Sequence, residues 1–157
     1  MSRLIVVFLS VFFLLISTNS YSADVQKRSE NAGNLKLTVT GFNSDMGELS
    51  ISIWDSEEEF DKGEDDKPKP FMIDTALIKD KKSEKIFKNI PFKKYAIKLF
   101  HDENKNKDLD TNFMGMPDEG FGFSNNAMGQ FGPPPFGEAS FDFNKSDMSI
   151  QIELTNF

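Results

Sequence analysis

The chain has 157 residues, with 25 acidic against 18 basic side chains, a formal net charge of −7, 17 Phe and no cysteine. The acidic balance excludes a nucleic-acid binder, which would cluster Lys and Arg, and the missing cysteine excludes thiol chemistry, disulfides and cysteine-zinc sites. A fold of this chain is held by burial and hydrogen bonding alone.

The first stretch, "MSRLIVVFLSVFFLLISTNSYSAD", has the layout of a secretory signal peptide. Arg3 is its positive end, residues 4–16 form an apolar run too short for an ordinary membrane span, and Ser20 and Ser22 are the small residues a signal peptidase prefers. Cleavage is expected after Ser22, with Ala23 the second choice. A retained anchor is the alternative, but no aromatic or basic belt follows the apolar run. Removing 22 residues from 157 leaves 135, and losing Arg3 takes the net charge from −7 to −8. That is one domain, expected in the periplasm or secreted, with no membrane span after cleavage.

Residues 23–34 are polar without period and read as a flexible N-terminal tail. The folded domain is expected over 35–157. "LKLTVTG" alternates Leu35, Leu37 and Val39 with polar residues, and "ELSISIW" does the same with Leu49, Ile51 and Ile53. Each predicts a half-buried strand. "NSDMG" between them, residues 43–47, has hairpin length and turn chemistry, which predicts an antiparallel pair.

In "DSEEEFDKGEDDKPKP", Ser56 and Glu59 match a capping box for a short helix, and Phe60 is placed to pin it to the sheet. The acidic run around it reads as a solvated loop. Strands follow at 71–79, 84–90 and 91–100, the last presenting Tyr95, Ile97 and Leu99 inward, then at 138–144 and 148–154. About seven strands and no long helix predict an all-β fold, an antiparallel β-sandwich of immunoglobulin-like or transthyretin-like kind.

Between the fifth and sixth strands runs a connection from 101 to 137, too long to be a simple turn and therefore the expected functional loop. Its start, "HDENKNKDLDTNFMG", sets Asp102, Asn104, Asn106, Asp108 and Asp110 at alternate positions. Calcium takes six to eight oxygen ligands from such spacings, whereas magnesium demands a tighter octahedron with fewer protein ligands. The five residues are therefore candidate calcium ligands, with Glu119 or Glu103 as an extra carboxylate. A helix-loop-helix calcium site is rejected, because Lys107 stands at the sixth position where Gly belongs and Phe113 at the twelfth where Glu belongs. The competing reading is a solvated Asn-rich turn satisfied by Asx-type hydrogen bonds.

The second half of the loop, "GFGFSNNAMGQFGPPPFG", interleaves Phe, Gly and Pro. Phe121, Phe123, Asn125, Asn126 and Phe131 form a candidate surface for a sugar or peptide. The same Phe residues serve equally as anchors that fold the loop back onto the sheets. His101 is the sole histidine; Ser124 and Ser140 lie in no nucleophile-elbow sequence, and a lone His at a strand end is usually a structural hydrogen-bonding group.

With these segments in view, the sequence resembles the bacterial domain of unknown function family 2141. The resemblance is carried by "LKLTVTGFNSDMGELSISIWDSEEEF", by "IPFKKYAIKLFHDENKNKDLDTNFMGMPDEGFGFSNNAMGQFGPPPFGEASF" and by the final strand, and it covers essentially the whole mature chain. This copy has Lys107 where a small or polar residue would sit, and Asp118 before Glu119. The resemblance implies an exported bacterial protein with an immunoglobulin-like or transthyretin-like sandwich, and it implies no activity. "PFKKYAIKLFHDENKNKDLD" is also similar to strand-and-loop segments of surface-protein B repeats, in which comparable loops bind calcium. That similarity is short and assigns no ligand here.

The expected function is an exported, non-enzymatic binding module with a calcium-binding loop and a protein, peptide or glycan partner in the cell envelope. Two alternatives are a hydrolase-like enzyme using His101 with Asp102 or Glu119 near Asn125 and Asn126, and a metal-independent envelope interaction protein.

Overall fold

The computed structural model describes residues 31–157 apart from 64 and 65. The expected signal peptide and residues 23–30 of the expected tail lie outside the described residues. Eight strands are present among the described residues: β1 (Ala32–Thr40), β2 (Glu48–Trp54), β3 (Met72–Ala76), β4 (Lys82–Pro91), β5 (Lys93–Asp102), β6 (Phe121–Phe123), β7 (Phe141–Phe143) and β8 (Asp147–Glu153). The described residues also include two one-turn helices, α1 (Glu57–Asp61) and α2 (Phe136–Ala139), and a 3-10 turn at Ser124–Asn126.

The strands form a three-stranded sheet in the order β4-β1-β8 and a five-stranded sheet in which β3-β2-β5-β6 run side by side and β7 pairs with the start of β5. Leu35, Leu37 and Val39 of β1 share one core with Leu49, Ile51 and Ile53 of β2 and with Tyr95, Ile97 and Leu99 of β5. The alternation in the sequence thus identifies the buried faces correctly, because a strand with one wet side must put its apolar residues two apart. Tyr95 is fully buried, its hydroxyl donates to the Pro91 carbonyl at 2.9 Å, and burial pushes its phenol up to about 12.

Strand pairing differs from expectation in three ways. First, β1 and β2 do not form a hairpin: β1 pairs with β4 and β8, whereas β2 pairs with β3 and β5. Residues 41–47 carry the chain from one sheet to the other. Periodicity reports which face of a strand is buried and carries no information about which edge finds which partner. Secondly, β8 runs parallel to β1, with Leu37 opposite Ile150, so the sheets are not wholly antiparallel. Thirdly, β6 is an additional strand, only three residues long, inside what reads as irregular loop.

The turn at 79–82 repeats the crossing. Lys79 and Lys82 exchange backbone bonds of 2.8 and 3.1 Å, and Asp80 and Lys81 take φ of 53° and 55°. The strands on either side nevertheless separate, β3 joining β2 and β4 joining β1. Asp45, on the other crossing, accepts the amides of Asp80 and Lys81 at 3.0 and 2.6 Å, so the two crossings are tied together.

The short helix forms as its capping residues dictate. Ser56 accepts the Glu59 amide, and Phe60 is buried edge-on against Trp54 and Phe136. The reciprocal half of the capping box is absent, since the Glu59 carboxylate turns to Lys62 and to the Lys69 amide. β1 begins at Ala32, three residues before Leu35.

Candidate functional site

The loop begins where β5 ends. Glu48 lies opposite Asp102 in the β2–β5 ladder, so the last pair of that ladder delivers Asp102 to one end of the sheet. Gly47 makes this possible: at φ +73°, a Cβ on it would lie 2.0 Å from the Asp102 carbonyl oxygen. Only glycine allows that approach.

Asp102 has no exposed surface, and its two oxygens accept the backbone amides of Asn106 and Lys107 at 3.0 and 2.9 Å. The chain wraps round this carboxylate with two left-handed residues, Lys105 at φ 61° within the wrap and Lys107 at φ 72° at its end. The sixth position therefore has the conformation for which the helix-loop-helix pattern employs Gly, although the residue is Lys.

Asn104 accepts the Asn106 amide at 2.9 Å and Asn106 accepts that of Asp108 at 2.8 Å, successive Asx turns. The Asn104 and Asn106 side-chain NH2 groups donate to the two oxygens of Asp110, at 2.6 and 3.0 Å. Glu119 is 6 % exposed and accepts the amides of Glu103 at 2.9 Å and Asp110 at 3.1 Å. Two buried carboxylates thus hold the loop from within, one at each end.

Of the five candidate ligands, Asp102, Asn104, Asn106 and Asp110 are linked in one hydrogen-bonded cluster. Asp108 joins through its backbone, while its side chain is exposed and takes part in none of these bonds. Among the described residues no three His, Cys, Asp or Glu side chains group to hold a metal ion. The oxygen donors here are carboxylates and amides, the chemistry calcium prefers. In the conformation described, the amide nitrogens of Asn104 and Asn106 face Asp110, so a cation there requires both amides to turn their oxygens inward.

His101 has no exposed surface. Its amide donates to the Gly120 carbonyl at 2.7 Å, its Nε2 lies 2.8 Å from the Met46 carbonyl, and its ring meets Phe42 edge-on. A carbonyl only accepts, so the proton sits on Nε2. Nδ1 has no hydrogen bond, and Glu103 Oε1 stands 3.4 Å away.

The second half of the loop is built differently. Ser124 is buried, accepts the Ile97 amide of β5 at 2.8 Å and donates to the Ala139 carbonyl of α2. Asn125, at φ 62°, donates to the carbonyls of Glu138 and Ser140 at 3.0 and 2.9 Å. Asn126 accepts the Glu153 amide of β8 at 2.9 Å. Phe123 is buried, and Phe121 is half-buried between Phe123 and Phe157. Of the candidate surface residues, Phe131 is fully exposed, and Asn125 and Asn126 are exposed with their side-chain amides turned to backbone. The Ser124 staple is not legible in the sequence, because a single Ser carries no periodic signal.

This construction spans the stretch that the family comparison covers. A family model described as an uncharacterized protein conserved in bacteria, DUF2141, matches residues 37–151, from within β1 to within β8 and across the whole long loop. The chain belongs to that family. No curated protein and no solved structure matches this DUF2141 chain. Among its described residues no helix is long and apolar enough to cross a membrane.

Proposed function

We propose that this DUF2141 chain is an exported, non-enzymatic β-sandwich module, immunoglobulin-like or transthyretin-like, whose long loop binds calcium through Asp102, Asn104, Asn106, Asp108 and Asp110. The bound ion stiffens the loop and presents an envelope protein, peptide or glycan with the surface around Phe131, with Phe121 and Phe123 as its underlay. Export rests on the signal-like residues 1–22. The sandwich reading is supported by two sheets sharing one core.

One observation carries the calcium reading: the chain wraps round the buried Asp102 carboxylate, with Lys107 left-handed at the sixth position, and the side chains of Asn104, Asn106 and Asp110 turn toward one another. Each carboxylate oxygen that accepts one amide keeps a second lone pair for a cation. The competing metal-independent module is favoured by the Asn104 and Asn106 NH2 groups, which already face Asp110. The hydrolase reading using His101 finds no such support, because a fully buried imidazole committed to the Met46 carbonyl offers no face to a substrate.

Asp108 separates the first two readings. Calcium titration of the mature chain by calorimetry is expected to show saturable binding that is weakened in Asp108→Ala, whose internal bonds are unchanged. Calcium at about 100 times its Kd then raises stability by about 2.7 kcal/mol over chelator. Absent binding heat and an unshifted melt would leave a self-satisfied polar turn.

A further inference from the structure

From Asp110 the loop forms a small hairpin whose tip belongs neither to the core nor to the ligand cluster. The Asp118 amide donates to the Asp110 carbonyl at 2.9 Å, Thr111 bridges Pro117, and the Asn112 amide donates to the Met116 carbonyl at 2.8 Å. The Asn112 side chain locks the tip by accepting the amides of Met114 and Met116 at 2.9 and 3.1 Å, and Gly115 makes the turn at φ +78°. Its tip, residues 113–116, carries three large apolar side chains in four positions: Phe113 is 97 % exposed, Met114 66 % and Met116 40 %. Met46, also exposed, belongs to the same end of the sheets, because its carbonyl meets His101.

Single exposed apolar residues are ordinary, whereas a cluster on a hydrogen-bonded tip marks contact with something apolar. The shape selects the partner. A stable protein interface, including one with a second copy of this chain, needs about 800 Å² on each side; a four-residue convex tip offers a small fraction of that and no groove. A bilayer interface needs no complementary shape, accepts Phe and Met side chains, and leaves the polar shoulders of the hairpin in the headgroup layer. Lys105 and Lys107 at the base of the loop are exposed, but the exposed Asp108 and Asp118 beside them offset their charge, so the apolar tip rather than electrostatic attraction carries the docking.

We infer that residues 113–116 form a membrane-docking tip that inserts Phe113, Met114 and Met116 into the interfacial layer of a phospholipid bilayer and holds the mature domain against it peripherally. The tip is fixed by Asn112 rather than by the Asp102 cluster, so docking does not depend on the calcium reading.

The test uses the mature chain carrying Phe113→Trp with vesicles of phosphatidylethanolamine and phosphatidylglycerol, in calcium and in chelator. The new indole is expected to shift to the blue and to be quenched by bromine-labelled acyl chains, while the buried Trp54 is unaffected. In the otherwise native chain, Phe113→Ser with Met114→Ser is expected to lower vesicle co-sedimentation by about tenfold or more, with an unchanged melt because neither side chain is packed. An unshifted, unquenched indole, or co-sedimentation that survives the double substitution, overturns the proposal. So does a concentration-dependent dimer that disappears in the double variant, since the tip would then serve self-association. Docking retained in chelator, with no calcium binding, sinks the calcium reading and leaves this one standing.

Discussion

The two halves of the long loop solve one problem in different ways. Residues 102–119 are held largely from within, each carboxylate or amide bonding backbone a few positions away, and even the longest link, Glu119 to Glu103, stays inside the segment. Residues 120–140 are closed on themselves by Ser124 and Asn125 bonding the carbonyls of 138–140, and are also held from outside: Ser124 bonds β5 and Asn126 bonds β8. Phe136 adds a further tie, its amide donating to Asp61 of α1 at 2.9 Å. A segment closed on itself alone is free to change its ligation without disturbing the sheets. A segment stapled to three elements is part of the fold, whatever else it does.

This contrast is open to attack by substitution. The largest effect is expected from Ser124→Ala, which strips the buried Ile97 amide and Ala139 carbonyl of a partner and should cost about 3 kcal/mol in denaturant unfolding, as one cooperative transition. If the loss were small, the second half would not be integral to the fold. Asn125→Ala, at an exposed position in a left-handed conformation, is expected to cost about 1–2 kcal/mol globally. Asp102→Asn should cost about 1–2 kcal/mol too, but locally. Amide hydrogen exchange is expected to quicken at Asn106 and Lys107 while the β2 and β5 amides keep their protection. Equal acceleration in the strands would show that the first half is not self-contained. The smallest effect belongs to Asp108→Ala, expected within about 0.5 kcal/mol of wild type in chelator, since its side chain supports none of the loop's bonds.

The same division explains what could be read in the sequence. Leu35, Leu37 and Val39, or Tyr95, Ile97 and Leu99, announce their burial by alternation, because the side-chain period of a strand is local. The Asp102 to Asp110 series was likewise legible, since its bonds connect neighbours in sequence. What escaped was non-local: β1 and β2 parting into different sheets, β8 lying parallel to β1, and Ser124 reaching back 27 positions to Ile97. In the sequence Glu119 is only a carboxylate, and its pairing with the Glu103 and Asp110 amides depends on the fold. Hairpin chemistry is present at 43–47, yet that turn, like the one at 79–82, leads across the molecule. Turn residues fix the local bend and leave the destination of the next strand to packing.

The parallel pairing of β1 with β8 joins the first described strand to the last. A chain that emerges N-terminus first can assemble β1 only with β4 until residue 153 appears, and one edge of the three-stranded sheet waits throughout. Local hairpins close neither sheet, so the rate at which this domain folds is set by the slow search of distant segments for each other. During that interval Leu35, Leu37 and Val39 lack the cover that β8 brings, and the unfinished edge is the part of the nascent chain most exposed to pairing with the wrong neighbour.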